Sequence, residues 1–358
     1  MRKLFEIVVV LVFWCGAAWA AGPDVAGTLS AGEDPCFVKA RRGAVMTVDS
    51  AMEAKEAFRT EWWYVTGNLE DQKGRRYGYQ FTIFRRGLSC EGESHGRSWN
   101  ARHLYFAHMA VSRESDETFH SGYRMERQSF GLAGWKKEGG VSVWVDDVAF
   151  AWKNRKIHLS SQHGSPVFDL VLSPIKPAIL QGDGGYSIKD PVTGSASHYL
   201  TLPRLQTSGA LTLSGETLNV NGLSWLDREW STGSLSNDQA GWDWMALHLS
   251  DGRDLMVCRV RGKKASGHFY FGSLSQADGG VVIFKPDDFT MTSQGTFDGP
   301  SGASYPARWQ IEAPKEGISL EVVPLFSNQE HEDGVVYWEG AVVAKGGKGR
   351  GYLEMTGY

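Results

Sequence analysis

The sequence predicts an all-β protein of two packed domains, each a barrel or a sandwich. Three observations carry this. Apolar and polar residues alternate with period two along much of the chain, and helical periodicity is scarce. Asp-Gly turns recur between the alternating runs. The 358 residues, with 43 Gly and 14 Trp, supply chain for two cores of about 150 residues each, together with many turns and large rigid apolar walls.

The first element is an address. Arg2 and Lys3 precede the apolar run Ile7–Trp14, and Ala18-Trp19-Ala20 forms a small-x-small cleavage pattern. Residues 1–20 therefore read as a secretory signal peptide. Phe13 and Trp14 sit where a lipid-attachment box ahead of Cys15 needs small residues. An exported protein, periplasmic or secreted after cleavage near Ala20, is expected. No later run approaches the ~18 apolar residues of a spanning helix, so the mature chain carries no stable membrane span. In an oxidising compartment Cys36–Cys90 is the disulfide to test first, while Cys258, inside the strand-like run Leu255–Val260, reads as a buried thiol.

Residues 21–47 are Gly-rich and read as irregular. Beyond them, Trp62–Leu69 reads as a strand, turned by Asp71-Gln72-Lys73-Gly74 and returned by Tyr77–Phe84. The same grammar places Ser250-Asp251-Gly252-Arg253 between Trp244–Leu249 and Leu255–Val260, and Asp278-Gly279-Gly280 ahead of Val281–Phe284. A last hairpin pairs Val335–Val343 with Tyr352–Met355 across Lys345–Gly351. The softest seam is Gly233–Gln239, which divides an N-terminal domain, 48–232, from a C-terminal one, 233–358. Two β domains without a polar linker pack tightly, and such junctions favour ligand pockets.

Composition narrows the function. With 37 basic against 41 acidic residues the net charge is −4, without the basic excess of a nucleic-acid binder. No nucleophile elbow, zinc-protease helix motif, phosphate loop or dinucleotide fingerprint occurs. No metal and no cofactor are expected. His103 and His108 are five apart in a strand-like run, an odd offset that puts them on opposite faces.

Two segments stand out. One is Arg59-Thr60-Glu61-Trp62-Trp63-Tyr64, and the other is Trp225-Leu226-Asp227-Arg228-Glu229-Trp230, followed by Gly241-Trp242-Asp243-Trp244. In a strand Trp225, Asp227 and Glu229 share a face, as do Trp242 and Trp244, with Asp243 pointing away. An acid on a tryptophan-lined face is costly in its charged form unless paired, and Arg228 or Arg59 is the expected partner. One outcome of such a pattern is a structural ion network closing a barrel mouth. The other is chemical: a buried acid protonates an isolated alkene carbon, and aromatic faces steady the carbocation by about 0.5–2 kcal/mol each.

Phe58–Tyr64, Tyr105-Phe106-Ala107-His108, Gln181-Gly182-Asp183, Trp225–Trp230, Gly241–Trp244, Tyr337-Trp338-Glu339-Gly340 and Thr356-Gly357-Tyr358 follow one another in order. From about Phe58 onward the chain resembles the AttH-type, carotenoid 1,2-hydratase-like family, in its branch of predicted secreted hydrolases. The resemblance implies two packed lipocalin-like antiparallel β-barrels. It also implies water addition to a terminal isoprenoid double bond without a redox cofactor, with the proton supplied by the aromatic-x-Asp element that matches Trp225-Leu226-Asp227. A His/aromatic pair of those enzymes corresponds to His198 and Tyr199. This chain departs from them in carrying Trp225 where they have Tyr, in the Arg228-Glu229 pair, and in its export signal.

The leading expectation is an exported two-barrel protein that binds a long apolar ligand, an isoprenoid or lipid, with hydratase chemistry. Asp227 is the general acid, and Glu229 and His198 orient water. Trp225, Trp230, Trp242, Trp244, Trp62, Trp63 and Tyr199 line the ligand, while Arg59, Glu61, Arg228 and Asp243 balance charge. The second expectation is a non-catalytic carrier serving an envelope transport system, which needs the apolar pocket but no protonatable acid.

Overall fold

The computed structural model describes residues 35–89, 101–233 and 235–358. Apart from a helix at Val48–Met52 and three short 3-10 turns, the described elements are strands. They form two antiparallel sheets, one of thirteen strands and one of ten. The first is a nearly closed barrel and the second a half-barrel, the architecture of two packed lipocalin-like barrels. The first sheet's last strand ends at Ser231, and the second sheet opens at Gln239. Among the described residues no helix is long and apolar enough to cross a membrane.

The expected hairpins form, with longer arms than the apolar runs alone define. Thr60–Asp71 pairs with Arg76–Gly87, and the Asp71 carboxylate closes their turn by accepting from the Lys73 and Arg75 amides, both at 2.9 Å. Gln239–Leu249 pairs with Asp254–Gly262, and Gly252 takes the positive φ of +89° that their turn requires. Tyr337–Ala344 pairs with Gly349–Met355 across a turn narrower than expected, because Gly349 and Gly351 join the strand. Ser195–Leu213 runs for nineteen residues and shifts register between Leu202 and Leu205. Pro203, which lacks an amide donor, lies inside that shift.

The period-two pattern fills three layers. Inward residues of the first sheet, among them Val65, Phe81, Ile83, Phe150 and Leu170, pack a core with the lumen closed by side chains. Met245, Val257, Trp309, Leu320 and Leu353 do the same for the second. Outward residues of both sheets meet in a third cluster built on Tyr64, Tyr199, Trp225, Trp244, Met256 and Tyr352. Gly78 belongs to this seam: a Cβ there would lie 2.3 Å from the Ala341 Cβ of the other sheet. Close approach of the two backbones requires glycine at that point.

Cys36 is disulfide-bonded, and the other half of the expected pairing, Cys90, lies outside the described residues. The signal segment lies outside them too. Cys258 is a free, buried thiol.

Candidate active site at the seam of the two sheets

Register decides which side chains meet. Asp227 lies directly opposite Tyr64 on one neighbouring strand and Thr201 on the other. One residue pair along, Glu229 lies opposite Trp62 and Tyr199. Directly opposed residues of an antiparallel pair point to one face, so both rows face the second sheet. There Trp244 lies opposite Cys258 and Glu354, and Cys258 opposite Phe271. Between these rows is a cavity of about 70 Å³. Its walls are mainly aromatic, with Trp62, Tyr64, Phe84, Tyr199, Trp242, Trp244 and Phe271, and its polar groups are Asp227, Glu229, Glu354 and Lys189.

Asp227 is 2% exposed. Tyr199 Oη donates to its Oδ2 at 2.7 Å, and Thr201 Oγ1 to its Oδ1 at 2.5 Å. Both hydroxyls are aimed by donors behind them. Trp244 Nε1 donates to Tyr199 Oη at 3.2 Å, and Gln181 Nε2 to Thr201 Oγ1 at 3.0 Å. With their acceptor sites used, the two hydroxyl protons turn to the carboxylate. Burial nonetheless outweighs these bonds and pushes the Asp227 carboxyl up to about 7. Burial and the neighbouring Asp227 and Glu229 carboxyls push the Tyr199 phenol well above its ordinary value, which keeps it a donor.

Glu229 is held differently. Lys189 Nζ pairs with its Oε1 at 2.8 Å and sits 4.7 Å from the Tyr199 ring centroid and 4.3 Å from that of Phe271. The cation is thus fixed between a carboxylate and two ring faces.

Other expected residues lie elsewhere. Trp225 is in the seam but behind the cavity, its ring 6.3 Å from that of Trp244. Glu61, Trp63, Arg228 and Trp230 alternate to the opposite face and point into the first barrel. There Glu61, fully buried, pairs with Arg85 and with Arg228 Nη2 at 2.8 Å. Arg228 also donates to the Ala51 carbonyl at 2.7 Å and lies 3.9 Å from the Trp63 ring. The expectation that Arg228 or Arg59 neutralises Asp227 is therefore corrected. Arg228 belongs to Glu61, Arg59 is outside the cavity lining with its amide on Thr232 Oγ1 at 3.1 Å, and among the described residues no salt bridge involves Asp227. A network of Asp227, Arg228 and Glu229 does not form: Arg228 joins Glu61 and Arg85 on the opposite face, and Glu229 pairs with Lys189. His198, adjacent to Tyr199, also turns away from the cavity, packing edge-on to Phe58 with centroids 5.5 Å apart. Asp243 points into the second barrel, bound by Arg259 at 2.8 Å and by the Tyr358 hydroxyl at 2.6 Å. His103 and His108 take opposite faces, against Arg85 and Tyr337 respectively.

Two charged cavity groups escaped the sequence reading, as did the apolar wall residues Phe84 and Phe271. Lys189 comes from Tyr186–Asp190, a short strand beside Ser195–Leu213. Glu354 comes from Gly349–Met355. Alternation held a signal for the latter: Leu353 and Met355 face the second core, which leaves Glu354 on the other side.

The fold and this seam define a tandem β-barrel protein with a small aromatic cavity between its sheets and a buried acid, without a salt bridge among the described residues, in the cavity wall. The AttH-like family model matches residues 39–358, and the chain belongs to that family. Among solved structures it is similar to a putative AttH protein of Nitrosomonas europaea, with 32% identity, a TM-score of 0.80, and coverage of 90% of this chain and 100% of that one. It is also similar in fold to kievitone hydratase of Nectria haematococca, at 15% identity and a TM-score of 0.67, covering 90% of this chain and 95% of that one. The dehydratase AsqC of Emericella nidulans is 23% identical over 181 residues, 48% of this chain and 50% of that protein. The match thus spans about half of AsqC.

Proposed function

We propose that the protein adds water to, or removes it from, an alkene end group of an apolar small molecule, with Asp227 carrying the proton to and from carbon. The observation that supports this best is a carboxyl buried in the wall of an aromatic cavity on two hydroxyl donors, with no salt bridge to it among the described residues; burial pushes it up to about 7. A group titrating near neutrality is both a competent acid and a competent base. In the protonated form Asp227 gives its proton to an alkene carbon. The cation left on the adjacent carbon then lies among ring faces that favour it, and water completes the alcohol. The hydratase and dehydratase among the similar proteins are consistent with either direction of that one reaction.

The cavity also bears on the ligand. At about 70 Å³ it is smaller than the ~150 Å³ void that holds a benzene molecule. It suits the branched end of a chain, with the remainder of an isoprenoid or lipid lying along the seam outward. The charged, apolar and small-residue order of residues 1–20 supports export of this activity to the periplasm or beyond.

The test is interconversion of citronellol, which ends in a trisubstituted alkene, and its hydrate hydroxycitronellol, followed by gas chromatography. Wild type is expected to equilibrate the two, and Asp227→Asn to lose about 100-fold or more in rate while still binding citronellol. Undiminished turnover in that variant removes Asp227 from the chemistry. Binding by both proteins with turnover by neither identifies a carrier.

A further inference from the structure

We propose that Glu354, contributed by the second sheet, is a second catalytic residue of this cavity, passing a proton to and from the oxygen of the water that is added or removed. The inference rests on the hydration–dehydration reading above. Glu354 lines the same cavity as Asp227 but arrives from the other domain. It faces Asp227 and Glu229 of the first sheet, with Lys189 committed to Glu229. Its flanking strands place Trp244 and Glu339 directly opposite it, and a hydrogen bond from Trp242 reaches it.

Glu339 makes the pair unusual. It is 0% exposed, and its carboxyl has the Tyr64 and Tyr337 hydroxyls beside it but no salt bridge among the described residues. Two adjacent buried carboxyls without a cation do not both ionise, so the Glu339–Glu354 pair holds at least one proton and opens on the cavity through Glu354. Burial, followed by the charges of Glu229 and Asp227, pushes the Glu354 carboxyl up to about 8. Burial and the Glu354 charge push Glu339 well above the carboxylate range. Asp227 contrasts with Glu354, because two aimed hydroxyl protons favour its carboxylate.

The division of labour follows. When water is lost from a tertiary alcohol, Glu354 gives its proton to the hydroxyl as the C–O bond breaks, and water departs. The Asp227 carboxylate then takes a proton from the neighbouring carbon, whose C–H electron pair becomes the double bond. One proton has left Glu354 and one has reached Asp227, and exchange through solvent restores the start. Hydration runs the same steps backward: Asp227 protonates carbon, water bonds to the cation, and Glu354 accepts the proton that water sheds. No electrons are gained or lost by the protein. Water loss starts from Glu354 protonated and Asp227 ionised.

The test uses the full chain with citronellol and hydroxycitronellol as probes in ¹⁸O-labelled heavy water, read by mass spectrometry. Wild type is expected to exchange ¹⁸O into hydroxycitronellol and deuterium into the C–H carbon of the citronellol double bond. Glu354→Gln should lose oxygen exchange about 100-fold or more and keep deuterium exchange within tenfold, because Asp227 still protonates carbon. Asp227→Asn should lose deuterium exchange and keep oxygen exchange into hydroxycitronellol, which needs only C–O cleavage and the return of water at Glu354. Oxygen exchange at wild-type rate in Glu354→Gln overturns the proposal. A wild type inert toward both probes strikes the hydration reading itself, and the role of Glu354 falls with it. A separate readout needs no turnover: ¹³C NMR titration of labelled glutamate carboxyls. The Glu354 midpoint is expected near or above neutrality, falling in Asp227→Asn as the opposing charge disappears. A Glu354 midpoint in the ordinary carboxylate range refutes the proposal whatever the probes do.

Discussion

An acid buried without a salt bridge costs stability, and Asp227→Asn measures that cost. The Asp227 carboxyl stands near 7 in the folded protein against an ordinary value of 3.8. Below the ordinary value both states bind the proton, and the native fold carries no penalty. Between there and about pH 7 the unfolded chain releases its proton while the folded one retains it. Wild-type stability therefore falls as pH rises, by about 1.4 kcal/mol per pH unit at most. Above pH 7 both states are ionised and the full penalty, ~4 kcal/mol, is in place. Asparagine has the same shape, cannot ionise, and can still accept from one of Tyr199 and Thr201 while donating to the other. The variant is thus expected to match wild type near pH 4, to exceed it by a few kcal/mol at pH 8, and to have lost its chemistry. Guanidinium unfolding midpoints at the two pH values provide the assay. An Asp227→Asn protein destabilised equally at both, or stabilised only at low pH, would refute the claim that an uncompensated charge sits at this position.

Three further outcomes follow from particular contacts. Glu61→Gln strips the counter-charge from two buried arginines, Arg85 and Arg228. It is expected to cost about 3–5 kcal/mol, seen as a melting temperature lowered by ~6–20 °C, and to flatten the acid limb of the stability profile. That sign follows because the Glu61 pKa is lowered, overall, by the two arginines against the opposing cost of burial, so its contribution is full above its unfolded value and lost as pH falls through the folded one. Tyr199→Phe deletes one of the two hydroxyl donors on Asp227. Loss of a charge-assisted hydrogen bond of about 1.5–3 kcal/mol should move the Asp227 titration upward by ~1–2 units, displacing the pH–rate profile to higher pH. Gly78→Val places methyl groups where Ala341 already sits; it should cost about 1–3 kcal/mol and depress turnover, and calorimetry with the citronellol assay reads both.

How much of this was legible beforehand depends on distance along the chain. Strand alternation alone places Trp225, Asp227 and Glu229 on one side and Asp243 opposite its tryptophans, and the Asp-Gly turns locate the hairpins around Gly252 and Gly279. Period two also carried a warning that was passed over. Arg228 is adjacent to Asp227 in a strand, so it faces away from it, and the same parity separates His198 from Tyr199. Lys189 and Glu354 were out of reach for a different reason. They approach Glu229 and Asp227 only through strand register and sheet docking, which depend on long-range hydrogen bonding that no local pattern encodes. The two hydroxyls that hold Asp227, and the donors Gln181 and Trp244 behind them, share that dependence.

Because each interior is packed with side chains and the cavity lies where outward faces touch, this architecture separates what keeps the molecule folded from the residues proposed to react. Side chains at the seam can be exchanged one by one while each interior stays as it is. A lineage built this way can retarget its pocket, or abandon catalysis and keep only recognition, without rebuilding either interior.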